Sequence, residues 1–278
     1  MAWDIDFISY EDFRGHVSDT IAQYKERLEP YDLKKFNKNI VDPIKLVFDK
    51  NVYQKTWEEL ISNEIFRQRD KSNSNEIGYF HQNIFKYIKG CQVPAHGWDV
   101  IFTPSEGYKG EEGGSSTIYV EMKNKFNTMN SSSSAKTFMR MQNQLLQDSD
   151  CECFLVEAIA KRSQNVPWQC TLDGEKVKCG RIRRVSIDKF YTIVTGEERA
   201  FFSLCMALPE VIKNVLEAEG NLGVKSPHDT VFSQLEELAK QVEGYSDKHE
   251  ATMNTAMLLA IYMLGFETYE GFAEMFRR

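Results

Sequence analysis

The sequence predicts a mixed α/β (α+β) fold: a central mixed sheet flanked by helices, with helical additions at the N- and C-terminal ends. Three observations predict it. The middle of the chain holds short runs rich in β-branched and apolar residues, at about 99–103, 117–123 and 152–160, bounded by turn residues. Patterns of helical period lie on both sides of those runs. The last third, from residue 197, carries helical period alone.

The elements follow in order. Apolar positions near helical spacing (Phe7, Ile8, Phe13, Val17, Ile21, Tyr24, Leu28) predict a helix over 8–29, ended by Pro30. Asp42 and Pro43 open a helix to about Lys50, as N-cap and first helical residue. Thr56 and Glu59 have capping-box spacing, and their helix should run to about Arg69. The polar stretch Lys71–Asn75 reads as a break, followed by a helix over 75–89 closed by Gly90. Between the first two strands, Pro104 to Ser116 reads as a hairpin-type loop. A helix over 135–146 precedes the apolar strand 152–160, which should be central. Asp173-Gly174 turns a hairpin of 168–172 and 176–182. Ser186 and Gly196 bracket a short helix, and helices are expected over 198–218, 228–243 and 249–264. One domain over 1–278 is expected, with a helical part at 1–70, an α/β core at 71–196 and a helical part at 197–278.

Composition excludes some classes. Of 278 residues, 42% are hydrophobic and 27% charged, ordinary for a globular chain, and no apolar run is long enough to span a membrane. The start, Met-Ala-Trp-Asp-Ile-Asp, has acids and no basic stretch, so no secretory signal is expected and the cytoplasm is the expected compartment. The six cysteines are then expected as reduced thiols, since Cys151-x-Cys153 and Cys170-x8-Cys179 match no common zinc module. The net charge of −7 argues mildly against a nucleic-acid partner. Its distribution partly reverses that, because residues 120–190 hold 12 basic and 8 acidic side chains, net +4. That block includes Lys125, Lys136, Arg140, Lys161, Arg162, Arg181, Arg183 and Arg184. A solvated charged surface explains any single one of them equally well.

The chemistry concentrates at Trp98-Asp99-Val100-Ile101 and Tyr119-Val120-Glu121-Met122-Lys123. Side chains alternate along a strand, so Glu121 and Lys123 share one face and Met122 points into packing on the other. If the two strands pair, Asp99 approaches both. Two carboxylates and an ammonium then converge at a sheet edge, a divalent-metal site suited to phosphodiester hydrolysis. The plain alternative is surface charge on a half-exposed strand. Glu76, in the first turn of the preceding helix, is a candidate third acid, or simply an acid favoured by the helix dipole. Glu64 is a weaker candidate, and His81 is either a proton-transfer group or a packed helical histidine. Asn124, Lys125, Asn127, Thr128 and Asn130 follow the second strand with side chains of the kind that contact phosphates and bases. Loop chemistry also explains the asparagines. Gln142, Asn143 and Gln144 lie on the next helix, and one of them is a candidate to reach the scissile phosphate or a base edge; plain solvated amides are the alternative. No Ser-His-Asp arrangement, P-loop ending or dinucleotide fingerprint competes.

With these strings the chain resembles the PD-(D/E)xK nucleases, with Trp98 where the motif name has proline. More narrowly it is similar to type II restriction endonucleases that cut GGNCC-like sites. That likeness rests on Asn75-Glu76-Ile77-Gly78-Tyr79-Phe80-His81-Gln82, on Gly97-Trp98-Asp99, on Glu121 to Asn130, and on Ser186 to Tyr191 with Val194-Thr195-Gly196.

The resemblance implies sequence-specific hydrolysis of double-stranded DNA to 5′-phosphate ends. Asp99, Glu121 and the Met122 carbonyl would hold Mg²⁺, Lys123 would orient and help deprotonate the attacking water, and Glu76 would be a supporting acid. Asn124, Lys125, Asn127, Asn130, Lys136, Arg140, Gln144, Arg183 and Arg184 would contact DNA. The resemblance further implies a homodimer for a symmetric site and a companion DNA methyltransferase. The acidic C-terminal third, with its Met253, Met257, Leu258, Ile261 and Leu264 stripe, is a candidate core or subunit face. Other readings are a repair or junction-resolving nuclease, and an inactive DNA-binding relative.

Overall fold

The computed structural model describes residues 3–27, 29–110, 113–218, 220, 229–241, 256, 257, 260 and 261. The chain divides into two compact units. One comprises 1–22 with 75–222, and the other 23–74 with 223–278.

The first unit is built on a six-stranded mixed sheet in the order β1-β2-β5-β6-β8-β7. The strands are β1 (Cys91–Gln92), β2 (Val100–Phe102), β5 (Thr117–Lys125), β6 (Cys151–Ile159), β7 (Asn165–Leu172) and β8 (Glu175–Ser186). β5, β6 and β8 run parallel, while β1, β2 and β7 pair antiparallel with their neighbours. β6 is central and nearly all buried, as its apolar composition requires. A small separate hairpin, β3 (Tyr108–Gly110) with β4 (Gly113–Ser115), occupies the segment expected as loop between β2 and β5.

Each face of the sheet has its own core. On one, Val100, Phe102, Ile118, Val120, Phe154, Val156 and Val185 pack with residues of α1 (Tyr10–Arg27), α6 (Ile187–Thr195) and α7 (Ala200–Ala218). On the other, Cys153, Leu155 and Ile182, with Ile101 and Tyr119 partly buried, pack under Phe138, Met141 and Leu145 of α5 (Ser131–Gln147). The alternation along β5 therefore sorts even residues to the first face and odd residues to the second. α5 starts four residues earlier than the apolar pattern suggests, because Asn130 caps it through a 2.8 Å bond from the Ser133 amide. Gly196 closes α6 in the left-handed region, at φ 79°.

The second unit holds α2 (Leu33–Asn37), α3 (Pro43–Tyr53) and α8 (Val231–Gln241), with the start of α4 (Trp57–Asn83). Its core is separate, and includes Phe36, Leu46, Trp57, Ile61, Leu235, Met257 and Ile261. Both expected caps form: Asp42 accepts from Ile44 and Lys45, and Thr56 and Glu59 exchange the two capping-box bonds. The break expected at Lys71–Asn75 is absent. α4 runs through it, with the Ser72 hydroxyl donating to the Gln68 carbonyl one turn back. α4 gives way to a short 3-10 turn (Ile84–Tyr87). Of the C-terminal stripe, Met257 and Ile261 are core, and Met253, Leu258 and Leu264 lie outside the described residues. No helix among the described residues is long and apolar enough to cross a membrane.

Candidate active site

The β2–β5 register pairs Val100 with Val120, so Asp99, one residue before β2, stands across from Glu121. Its amide donates to the Val120 carbonyl at 3.0 Å. Alternation then puts Asp99, Glu121 and Lys123 on the α5 face, and Met122 packs on the other. β2 starts only at Val100, so β5 loses its neighbour beyond Val120. Asp99 fills the gap: its Oδ2 accepts from the Met122 amide at 2.7 Å. In a strand the N–H and C=O of one residue point to the same side, so the Met122 carbonyl faces this vacated edge too. The Gln82 amide of α4 donates to the Asp99 carbonyl at 3.2 Å, fixing the backbone at the turn into β2.

Glu121 is engaged at both oxygens. Lys123 Nζ donates to Oε1 at 2.7 Å, and an Arg140 guanidinium nitrogen donates to Oε2 at 2.8 Å. The Arg140 guanidinium also lies over the Trp98 ring, 3.9 Å from its centroid. The Trp98 indole N–H donates to Gln144 Oε1 at 3.1 Å, and Gln144 follows Arg140 by one turn on α5. Burial pushes the Asp99 carboxyl above its ordinary range and the Glu121 charge adds to this, against the Met122 bond and the Lys123 and Arg140 charges. A divalent cation placed between the two carboxylates would favour their charged forms against the effect of burial. Two hard carboxylates at a cross-strand position beside a backbone carbonyl are a donor set that fits Mg²⁺.

The other expected residues fall in different places. No cluster of three or more His, Cys, Asp or Glu side chains placed to hold a metal occurs among the described residues, so Glu76 does not complete an acidic triad with Asp99 and Glu121. Gly78, two residues on, lets α4 approach β5, since a Cβ there would sit 2.9 Å from Asn124 Oδ1. Glu64 belongs to the second unit, where it is buried and paired with Arg67. Burial and the nearby His16 push His81 down to about 4, so it is a neutral packed histidine at neutral pH. Lys125, Asn127 and Lys136 are exposed, and Asn130 is exposed while serving as the α5 cap.

The adjacent arginines of β8 point to opposite faces. Arg183 is 2% exposed and its guanidinium is held by the Asn165 side chain and carbonyl at 2.6 and 2.8 Å. It is an internal tie between β7 and β8, and a surface role for it is corrected on that ground. Arg184, on the α5 face, pairs with Glu157 and donates to the Phe126 carbonyl at 2.8 Å.

Glu157 and the Trp98 contact were not anticipated. Glu157 is 1% exposed, is the β6 register partner of Lys123 on the same face, and has one oxygen with no hydrogen-bond partner among the described residues. The available signal was an acid, Glu157, set among apolar residues toward the end of a mostly apolar central strand.

The Eco47II restriction endonuclease family model matches residues 5–217. The type II restriction enzyme Sau96I of Staphylococcus aureus is 27% identical over 223 residues, covering 77% of this chain and 82% of that protein. The type II restriction enzyme Eco47II of Escherichia coli is 26% identical over 238 residues, covering 82% and 95%. The matched span holds the sheet, the acidic pair, Lys123 and Arg140, and the chain belongs to the Eco47II restriction endonuclease family.

Proposed function

We propose that this restriction endonuclease cuts double-stranded DNA at a GGNCC-like palindrome, with Mg²⁺ held by Asp99, Glu121 and the Met122 carbonyl. The observation that carries the reading is the convergence of Asp99 and Glu121 across the β2–β5 register, with the Met122 amide locking Asp99 in place. A bound divalent cation supplies Lewis-acid polarisation of the scissile phosphoryl group and neutralises its charge.

The chain's own residues do the rest. Lys123, bonded to Glu121 on the same face, orients the attacking water and helps remove its proton. Hydrolysis of the P–O3′ bond leaves the phosphate on the 5′ end. Asn124, Lys125 and Asn127, at and beyond the end of β5, meet the DNA backbone and bases, with Asn130, Lys136, Arg140 and Gln144 on the adjoining cap and helix. Arg184 contributes field at the rim while paired to Glu157. Glu76 acts at longer range as a supporting acid. Two copies related by a twofold axis cut the two strands of a symmetric site. The enzyme works in the cytoplasm beside a DNA methyltransferase that protects host sites.

Digestion of unmethylated plasmid DNA with Mg²⁺ or with EDTA, followed by sequencing of the ends, tests this. Discrete Mg²⁺-dependent fragments sharing a GGNCC end sequence support it. A smear points to a repair-type nuclease, and intact DNA to a binding protein.

A further inference from the structure

We propose that Arg140 is the placeholder cation of the acidic pair: it occupies the Glu121 oxygen that a divalent cation needs, and passes to a DNA phosphate when that cation binds, pivoting on the Trp98 ring. The inference rests on the metal-site reading above and adds how that site is kept before metal and DNA arrive.

Both Glu121 oxygens are occupied, at 2.7 Å by Lys123 and at 2.8 Å by Arg140, and the carboxylate is only 14% exposed. Each oxygen keeps a second lone pair, but a divalent cation on Glu121 is repelled by both side-chain cations, so its binding favours moving one of them away. Lys123 is tethered two residues along the same strand, with Glu157 beside it on β6. Arg140 comes from a separate element, α5, and is 40% exposed. Arg140 therefore has the room to move.

It also has a second anchor. The guanidinium carbon sits 3.9 Å from the Trp98 ring centroid, and a cation over an indole face is held without a carboxylate. Trp98 is itself 9% exposed and bonded to Gln144. Released from Glu121, Arg140 stays at the site instead of drifting into solvent. The charges support the same exchange. Asp99 and Glu121 balance Lys123 and Arg140, so the metal-free group is formally neutral. Adding a divalent cation leaves an excess of positive charge, which an arginine facing a phosphate places on the DNA.

Calorimetric titration of Mn²⁺ into the metal-free protein, without DNA, tests the first half. Arg140→Gln should bind Mn²⁺ about fivefold more tightly, the change expected when a half-exposed competing ion pair is lost. Lys136→Gln removes the same charge one turn earlier on α5 and should leave Mn²⁺ affinity unchanged. On a Lys123→Ala background, Arg140→Gln should weaken duplex DNA binding and lower its salt slope by about one. Should Arg140→Gln not fold, the emission of Trp98 is a second readout: it should change on adding Mg²⁺ to the otherwise unaltered protein, and Trp98→Phe should remove the change. Equal or weaker Mn²⁺ binding by Arg140→Gln, or a Trp98 emission blind to Mg²⁺, overturns the placeholder role. Glu121→Gln separates the two levels. If it weakens Mn²⁺ binding while Arg140→Gln does not tighten it, only the placeholder falls; if it has no effect, the metal-site reading falls with it.

Discussion

Met122 and Asp99 are joined across a strand end: the Met122 amide donates to Asp99 Oδ2 at 2.7 Å, where β2 has stopped and β5 continues. The bond does two things at once. It satisfies a backbone donor that the sheet no longer pairs, and it fixes the orientation of a half-buried carboxylate. The cost is a carboxyl whose charged form is disfavoured, mainly by burial.

Asp99→Asn should therefore raise the thermal stability of the metal-free protein while abolishing metal-dependent cutting. The folded-state pKa lies above the ordinary value of 3.8, so the native state binds more protons than the unfolded chain across that interval. This group's contribution falls as pH rises through the interval and stays unfavourable above it. Asparagine keeps an oxygen for the Met122 amide. Melting curves in EDTA at neutral pH measure the effect, and a lower melting temperature would contradict it.

Arg183→Ala should lower stability by about 2 kcal/mol, because part-buried acceptors on Asn165 lose a charged donor. DNA affinity per folded molecule should be unchanged. Urea titration and a binding assay separate the two; weaker binding at full stability would restore a DNA role for this residue.

Lys125→Ala should weaken DNA binding uniformly across sequences and reduce the salt slope by about one, as expected for one phosphate contact. Lys125 is exposed at the end of β5. Binding measured at several salt concentrations decides it, and an unchanged slope would remove Lys125 from the interface.

Glu157→Ala should destabilise the first unit by about 2 kcal/mol, since Arg184 loses a charged acceptor and keeps only the Phe126 carbonyl and water. The double variant Glu157→Ala, Arg184→Ala should recover part of that loss. Additive losses in chemical denaturation would show that the pair does not act as one.

What the sequence revealed depended on how local the determinants are. The Asp99–Glu121 approach was legible because the two strands follow one another along the chain and alternation sets which side chains share a face. The β5–β6 and β6–β8 pairings are parallel and join distant segments, so Glu157 beside Lys123 was not readable. Strand alternation did contain the warning about Arg183 and Arg184: neighbours on one strand face opposite ways, so both cannot line one surface. The polar stretch Lys71–Asn75 misled because serine bonded to the carbonyl one turn back is tolerated within a helix. The division into two units joins the N-terminal helices with the C-terminal segment, a long-range arrangement that no local pattern encodes.

The most direct test of the central claim is single-turnover cleavage of a GGNCC duplex by Lys123→Ala in Mg²⁺, with binding measured on the same preparation. The arrangement of Lys123 on Glu121 predicts a rate lower by about 10²- to 10⁴-fold with DNA affinity retained, the range for loss of a positioned proton-transfer group. Cleavage at the unaltered rate would contradict the assignment of this strand as the catalytic centre.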